Sequence, residues 1–361
     1  MNVLFKFNLS RFSGRRGLLC VFLLLFVLVL VFVCFVLVFT GVFSFGLWGS
    51  DKVVSNEFEL RAAVNNAAGP TSIAFSKDIA LTALLVIPTG KDITLTSNRV
   101  SGFYKLIGYS VSTITVEAGG VLRLDGITVT NKSGAGRGVM VNSGGKLFLC
   151  SGEISGNHGV NSDGGGGGVY VSGSFVMSGG KISDNTAFDR GGGVYLFSGS
   201  FSMSGGSITN NKAYFIVDNN RTVYGAGGGV YAESEYSGSF SMSGGRVSGN
   251  IAVYGGGVHL YSGSFSMSGG RISGNTADWG GGIYISSSAS FSRTDGEISG
   301  NTSSDVYTFG NNNESPNSDS SNDLKRYSLS WDAIIWIGLI VIIVCVVVTV
   351  LFFTSNAKLE L

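Results

Sequence analysis

The stretch Gly191-Gly-Gly-Val-Tyr-Leu-Phe-Ser-Gly-Ser-Phe-Ser-Met-Ser-Gly-Gly-Ser-Ile-Thr-Asn-Asn211 holds three short runs, Val-Tyr-Leu, Phe-Ser-Met and Ile-Thr. Their period is two, as in strands with one buried face. Ser-Gly and Gly-Gly separate the runs, as turns require. The same pattern opens at Gly166, Gly227, Gly255 and Gly280, with a degenerate copy near Arg137. Its first apolar position recurs as Val139, Val169, Val194, Val230, Val258 and Ile283, at spacings of 30, 25, 36, 28 and 25 residues. The base period is therefore near 25 residues, with insertions in some copies. Three strands per turn of this length is the arithmetic of a parallel β-solenoid, in which like strands stack ~4.8 Å apart.

Further columns follow the same register. A Phe column reads Phe148, Phe175, Phe201, Phe240, Phe265 and Phe291; two residues on come Cys150, Met177, Met203, Met242, Met267 and Arg293. An aliphatic column reads Ile154, Ile182, Ile208, Val247, Ile272 and Ile298. Asn157, Asn185, Asn211, Asn250, Asn275 and Asn301 form a column that fits an internal amide ladder at a turn. Gly triplets and β-branched runs disfavour a helix. A Gly/Ser linker would not keep Phe, Met and Ile in register.

The motif GGG-Val-Tyr-x followed by Phe-Ser-Met-Ser-Gly-Gly-x-Ile-Ser-Gly-Asn resembles the right-handed parallel β-helix repeats of pectate-lyase-like superfamily proteins. In style it is closest to adhesin-like surface proteins of bacteria and archaea, and more distantly similar to chlamydial polymorphic outer-membrane proteins, whose FxxN element reads Phe-Ser-Met-Ser here. The resemblance covers residues 56–305 and implies an all-β, right-handed parallel β-helix. It leaves function open, since one fold hosts many activities.

The rest of the chain supplies the ends. Asn56 with Glu59 three residues on marks a helix N-terminus, and Leu60, Ala63, Val64 and Ala67 share one face. Residues 56–67 are thus expected to be a helix capping the solenoid, whose regular repeats run over 137–305. Short apolar runs at Ile73–Phe75, Leu84–Ile87, Ile93–Leu95, Ile114–Val116, Leu122–Leu124 and Ile127–Val129 read as earlier, irregular coils. Arg293 and Asp295 break their columns, as a solvent-facing last coil would. Residues 306–332 are rich in Asn, Ser and Asp and read as a polar linker.

Leu18–Phe39 and Ala333–Phe353 are uncharged runs of 22 and 21 residues, long enough for a helix to cross ~30 Å of hydrocarbon. The expected fold class therefore adds two flanking transmembrane helices to the solenoid. Lys6, Arg11, Arg15 and Arg16 in the basic tail 1–17 place that end in the cytoplasm. The solenoid would then lie outside, and the short tail 354–361 would return to the cytoplasm. A cleaved secretory signal is the alternative for the first run.

Composition excludes several roles. Among 361 residues, Lys+Arg total 24 against 23 Asp+Glu, so no basic face for nucleic acid is expected. Gly numbers 56 without a G-x-y period, which is not collagen. Of 4 cysteines, Cys150 stands alone between the two apolar runs, which rules out a disulfide framework or thiolate metal site there. No metal or other cofactor is expected.

Candidate binding residues fall in two groups. If Val169 points inward, Tyr170 points outward, giving an outer stripe of Tyr170, Tyr195, Tyr231, His259 and Tyr284 that could stack on sugars or on a partner. The alternative is a stripe of rings that merely stiffens the sheet. The second group lies in insertions. Lys212–Ala226 reads as a projecting hairpin carrying Tyr214, Asp218 and Tyr224, and the next coil inserts Glu233, Glu235 and Tyr236. These insertions occur at different points of the repeat, so different faces are expected. Asn157-His158-Gly159 only faintly matches the Gly-His-Gly of hydrolases with this fold. The Asn-x-Ser/Thr triplets at Asn131, Asn220, Asn301 and Asn313 could accept glycans.

The preferred reading is a membrane-anchored, extracytoplasmic β-helix with an adhesin-like or structural binding role toward carbohydrate or protein. A polysaccharide lyase or glycoside hydrolase is the alternative. It is disfavoured because the external columns are mainly Ser and Gly.

Overall fold

The computed structural model describes residues 52–310, apart from 98–102, 160–164, 215, 218–220, 223, 224 and 234–237; for 216, 217, 221 and 222 it describes the backbone alone. The chain winds into a parallel β-solenoid of about 8 turns. Three ladders of in-register parallel strands form its walls. One stacks Leu85, Ile114, Val139, Val169, Val194, Val230, Val258, Ile283 and Val306. The second stacks Ile93, Leu122, Leu147, Phe175, Phe201, Phe240, Phe265 and Phe291. The third stacks Ile79, Leu106, Val129, Ile154, Ile182, Ile208, Val247, Ile272 and Ile298. Most of these side chains are fully buried in one continuous core. The Phe rings lie nearly parallel, 4.6, 4.8 and 4.3 Å apart from Phe175 to Phe265. Ring stacking thus follows the strand spacing itself.

The Gly triplets have two physical causes. The first glycine of each triplet is left-handed, as at Gly191 with φ 63°, a conformation that side chains with a Cβ rarely adopt. The third is a matter of space. A Cβ on Gly193 would lie 2.7 Å from the Gly229 carbonyl oxygen and 3.1 Å from Asn211 Cγ.

Several expectations need correction. Leu147 and Leu149, not Phe148 and Cys150, continue the Phe and Met columns. Leu147 and Leu149 are buried, Phe148 is half-buried and Cys150 is exposed. In Lys146-Leu-Phe-Leu-Cys150 both alternating sets are apolar, and a one-residue slip exchanges the faces. Strands Ile79–Ala80 and Tyr104–Gly108 went unread because they are short and irregular. The solenoid begins at Lys52–Val54, ahead of the helix, and ends at Val306–Thr308, inside the expected linker.

The two flanking transmembrane helices must also be withdrawn from the fold class. Among the described residues no helix is long and apolar enough to cross a membrane. The helix found there, α1 (Glu57–Asn65), has nine residues. Apolar residues of the described chain fill alternate strand positions rather than long helical runs. The segments 18–39 and 333–353 lie outside the described residues.

Asn56 caps α1, its Oδ1 accepting from Glu59 N at 3.0 Å. Leu60, Ala63 and Val64 turn inward, covering the first coil as a terminal cap must. At the other end Arg293 occupies the Met column and is exposed, with Asp295 and Glu297 beyond it. Charges on an open strand edge oppose pairing with another chain.

Candidate binding region on the solenoid

A buried amide ladder organises the turn after the third strand. Asn211 Nδ2 donates to Asn250 Oδ1 at 3.0 Å and to the Ile182 carbonyl at 3.0 Å. Its Oδ1 accepts from Asn185 Nδ2 at 2.9 Å and from Asn185 N at 3.1 Å. The pattern runs from Asn157 to Asn301. Asp305 ends it, its Oδ1 accepting from Asn301 Nδ2 at 2.8 Å where the next amide would stand. Asn157 begins it, and its Oδ1 has no hydrogen-bond partner among the described residues. The column satisfies buried polar groups and is structural.

The outer stripe is continuous but not a free surface. Tyr170, Tyr195, Tyr231, His259 and Tyr284 are only 7, 3, 2, 6 and 8 % exposed. Successive rings meet edge to face at 5.2, 5.3, 5.1 and 4.7 Å. The alternation argument correctly turns them away from the core. They are covered by a second stacked column, Gly165, Arg190, Ala226, Tyr254 and Trp279, together with Met140, Phe197 and Tyr261, which pack on the same rings. The fit is close: a Cβ on Gly165 would lie 2.0 Å from Tyr195 Cδ1. His259 stands among these rings. Burial and the nearby Arg190 push its pKa down to about 3, so the ring is neutral.

One corner of that covering column collects the polar chemistry. Arg190 Nη1 meets Glu233 Oε2 at 2.7 Å, and its Nε meets Asp189 Oδ2 at 3.0 Å. The guanidinium also lies 5.5 Å from the Tyr231 ring centroid. Tyr195 donates its hydroxyl to Glu233 at 2.5 Å. Burial, then the hydrogen bond to Glu233, raises the pKa of Tyr195, which stays protonated. Burial opposes the charge on Arg190, but Tyr231 and Glu233 outweigh it and hold the group charged.

This corner gathers both insertions. Asp189 N donates to the Tyr214 carbonyl at 2.8 Å, where the first insertion leaves the coil. Ala226 N donates to the Asp189 carbonyl at 2.8 Å, where it returns. Glu233, held by Arg190, opens the second insertion. Asp189 and Arg190 thus tie the root of the first insertion, Tyr214 and Ala226, to Glu233 at the start of the second; residues 234–237 lie outside the described residues. Within the first, Ile216–Val217 pairs antiparallel with Arg221–Thr222, as a hairpin requires.

Of the predicted residues, the structure brings Tyr195, Tyr231 and Glu233 together and places Tyr214 beside them through its carbonyl. Tyr170 and Tyr284 lie further along the ring column. Asp218, Tyr224, Glu235 and Tyr236 lie outside the described residues. Asp189 and Arg190 were missed. The available signal was an Asp-Arg pair directly before a Gly triplet, at a position that elsewhere holds Gly165, Ala226, Tyr254 or Trp279.

Other candidates have structural roles. His158 is half-buried and pairs with Thr186 in a short strand. Asn131 is buried, its amide donating to the Ser110 carbonyl at 2.8 Å, and Asn301 belongs to the ladder; neither can accept a glycan in the folded chain. Among the described residues no group of three or more His, Cys, Asp or Glu could hold a metal ion. Comparison of the chain with protein-family models, with curated proteins and with solved structures finds no match. The assignment that stands is the architecture, a parallel β-solenoid.

Proposed function

We propose that the solenoid is an extracytoplasmic, adhesin-like binding rod, a right-handed parallel β-helix of the pectate-lyase-like type. It acts passively by presenting protruding segments to carbohydrate or protein. One observation carries this reading: Asp189 and Arg190 tie the roots of two insertions, at Tyr214, Ala226 and Glu233, together on an otherwise regular wall. Rigid elements that position loops are a common basis of recognition.

The test is incubation of the full chain with surface and plant polysaccharides, with and without Ca²⁺, and with candidate surface proteins, followed by size chromatography. Intact ligand carried into a complex is expected. The complex should be lost when Phe215–Tyr224 is removed, a deletion that gives the Asn211–Gly227 connection the length of the Asn185–Gly191 one. New short glycan fragments would overturn the reading in favour of a lyase or hydrolase. Location is tested separately. A membrane-impermeant maleimide applied to intact cells should label exposed Cys150 and lose that label in Cys150→Ser.

A further inference from the structure

The outer face of the Ile ladder carries a second column, Glu153, Lys181, Ser207, Arg246, Arg271 and Glu297, one residue from each of six successive coils. Lys181 has a carboxylate one coil away, Glu153 at 3.3 Å. Arg271 likewise meets Glu297. Arg246 does not. Its in-register neighbours are Ser207 on one side and Arg271 on the other. Like charges facing each other across adjacent strands repel, and no ion pair relieves Arg246 among the described residues.

The adjacent hydroxyl column shows the same gap independently. Arg246 Nε donates to Ser248 Oγ at 2.9 Å, and Arg271 Nε to Ser273 Oγ at 3.1 Å. These bonds fix each guanidinium and leave its outer nitrogens to reach along the column, as Arg271 does toward Glu297 and Ser299. One coil earlier, Thr209 stands level with Ser248. Its hydroxyl oxygen is buried without a hydrogen-bond partner among the described residues, because Ser207 is too short to supply one. Ser207 thus floors a notch between Lys181 and Arg246, two long cations ~10 Å apart by strand spacing.

We propose that this notch binds a tetrahedral oxyanion ester, the sulfate or phosphate group of a linear polymer lying along the solenoid axis. The notch offers the Ser207 hydroxyl and the Arg246 guanidinium and, beside them, the Lys181 ammonium, which the anion would share with Glu153. A pendant sulfate or phosphate monoester keeps three terminal oxygens spread in space, one for each donor. A carboxylate has two oxygens in one plane, which suits a single guanidinium fork. The inference rests on the reading of the solenoid as a binding rod and names one ligand class for it.

The experiment measures binding of the full chain to dextran sulfate, phosphorylated dextran, carboxymethyl dextran and neutral dextran. Arg246→Ser repeats the residue already present at 207 in the same column. Ser207→Glu supplies the carboxylate that Arg246 lacks. Both variants should keep the wild-type far-UV spectrum and unfolding midpoint. Wild type should bind dextran sulfate or phosphorylated dextran, the stronger polymer naming the source, and each variant should weaken that binding by roughly tenfold or more. Absence of binding to both polymers would overturn the proposal, as would equal binding of carboxymethyl dextran or an unchanged affinity in the two variants. A chain that binds neutral glycan or protein but neither polyanion would leave the rod reading intact and remove the notch.

Discussion

Two columns of polar or semi-polar side chains climb the same coils, and they are held by different physics. The Asn column lies inside a turn, where each amide both donates to and accepts from its neighbours. The Tyr–His column lies outside the sheet, where rings meet edge to face beneath a second stacked column. The first depends on identity: another side chain of similar size cannot reproduce four directed hydrogen bonds. The second depends on shape and area. It tolerates a histidine in place of a tyrosine, and Arg190 or Trp279 as cover. A directional column is therefore brittle and a packed one graded.

The sharpest way to break that contrast is Asn211→Ala at mid-ladder. It removes four side-chain hydrogen bonds and leaves buried partners unsatisfied, so a loss of roughly 5 kcal/mol or more is expected. Asn157→Ala, at the ladder end where one acceptor is already unpaired, should lose about 1–2 kcal/mol. Urea midpoints compare the two; equal losses would show that the column is not a chain of mutual bonds. Tyr231→Ala comes next. It removes a buried ring and opens a cavity beneath Arg190, for an expected loss of about 3–4 kcal/mol. Tyr231→Phe should differ little from wild type if packing is what matters.

The smallest effect is a pH dependence. His259 has a folded pKa of about 3, below the ~6.5 of an unfolded histidine. As pH falls, the unfolded chain takes up the proton first. The neutral ring therefore carries no penalty above about pH 6.5, and stability is lost progressively from there toward pH 3. Between pH 7 and pH 5 the loss should be roughly 2 kcal/mol. His259→Tyr restores the residue of the neighbouring coils and should flatten the thermal midpoint over that range. An unchanged slope would mean that the ring is solvated.

Much of this architecture is legible in the chain, and the misreadings share a cause. Phe201, Phe240 and Phe265 can be aligned because apolar residues alternate with Ser, which leaves a single possible inward set, and Phe175 follows from the same spacing to the Gly-Gly pair after it although Val176 stands where the others have Ser. Phe148 cannot, because Leu147 and Leu149 flank it and both faces are apolar. Alternation turns Tyr195 and Tyr231 outward, yet facing outward does not decide between a free binding stripe and rings packed on one another. Whether a residue faces away from the core is a property of its own strand. Whether it is exposed depends on what folds over it, and the Gly165–Trp279 covering column comes from the turns. The link between the roots of the two insertions is not legible for a similar reason, since Asp189 and Arg190 belong to neither.

Sequence alone determined the solenoid, its period, its three apolar columns and the Asn ladder. Each follows from a local alternation repeated at a fixed distance, and stacking then brings like residues together. Only the tertiary structure decided which outward residues are buried, that Arg190 ties Glu233 to the root of the first insertion, and that Arg246 stands without a carboxylate among the described residues. Those facts depend on which residues of neighbouring coils face one another across ~4.8 Å. Insertions of unequal length make that pairing impossible to count along a single strand.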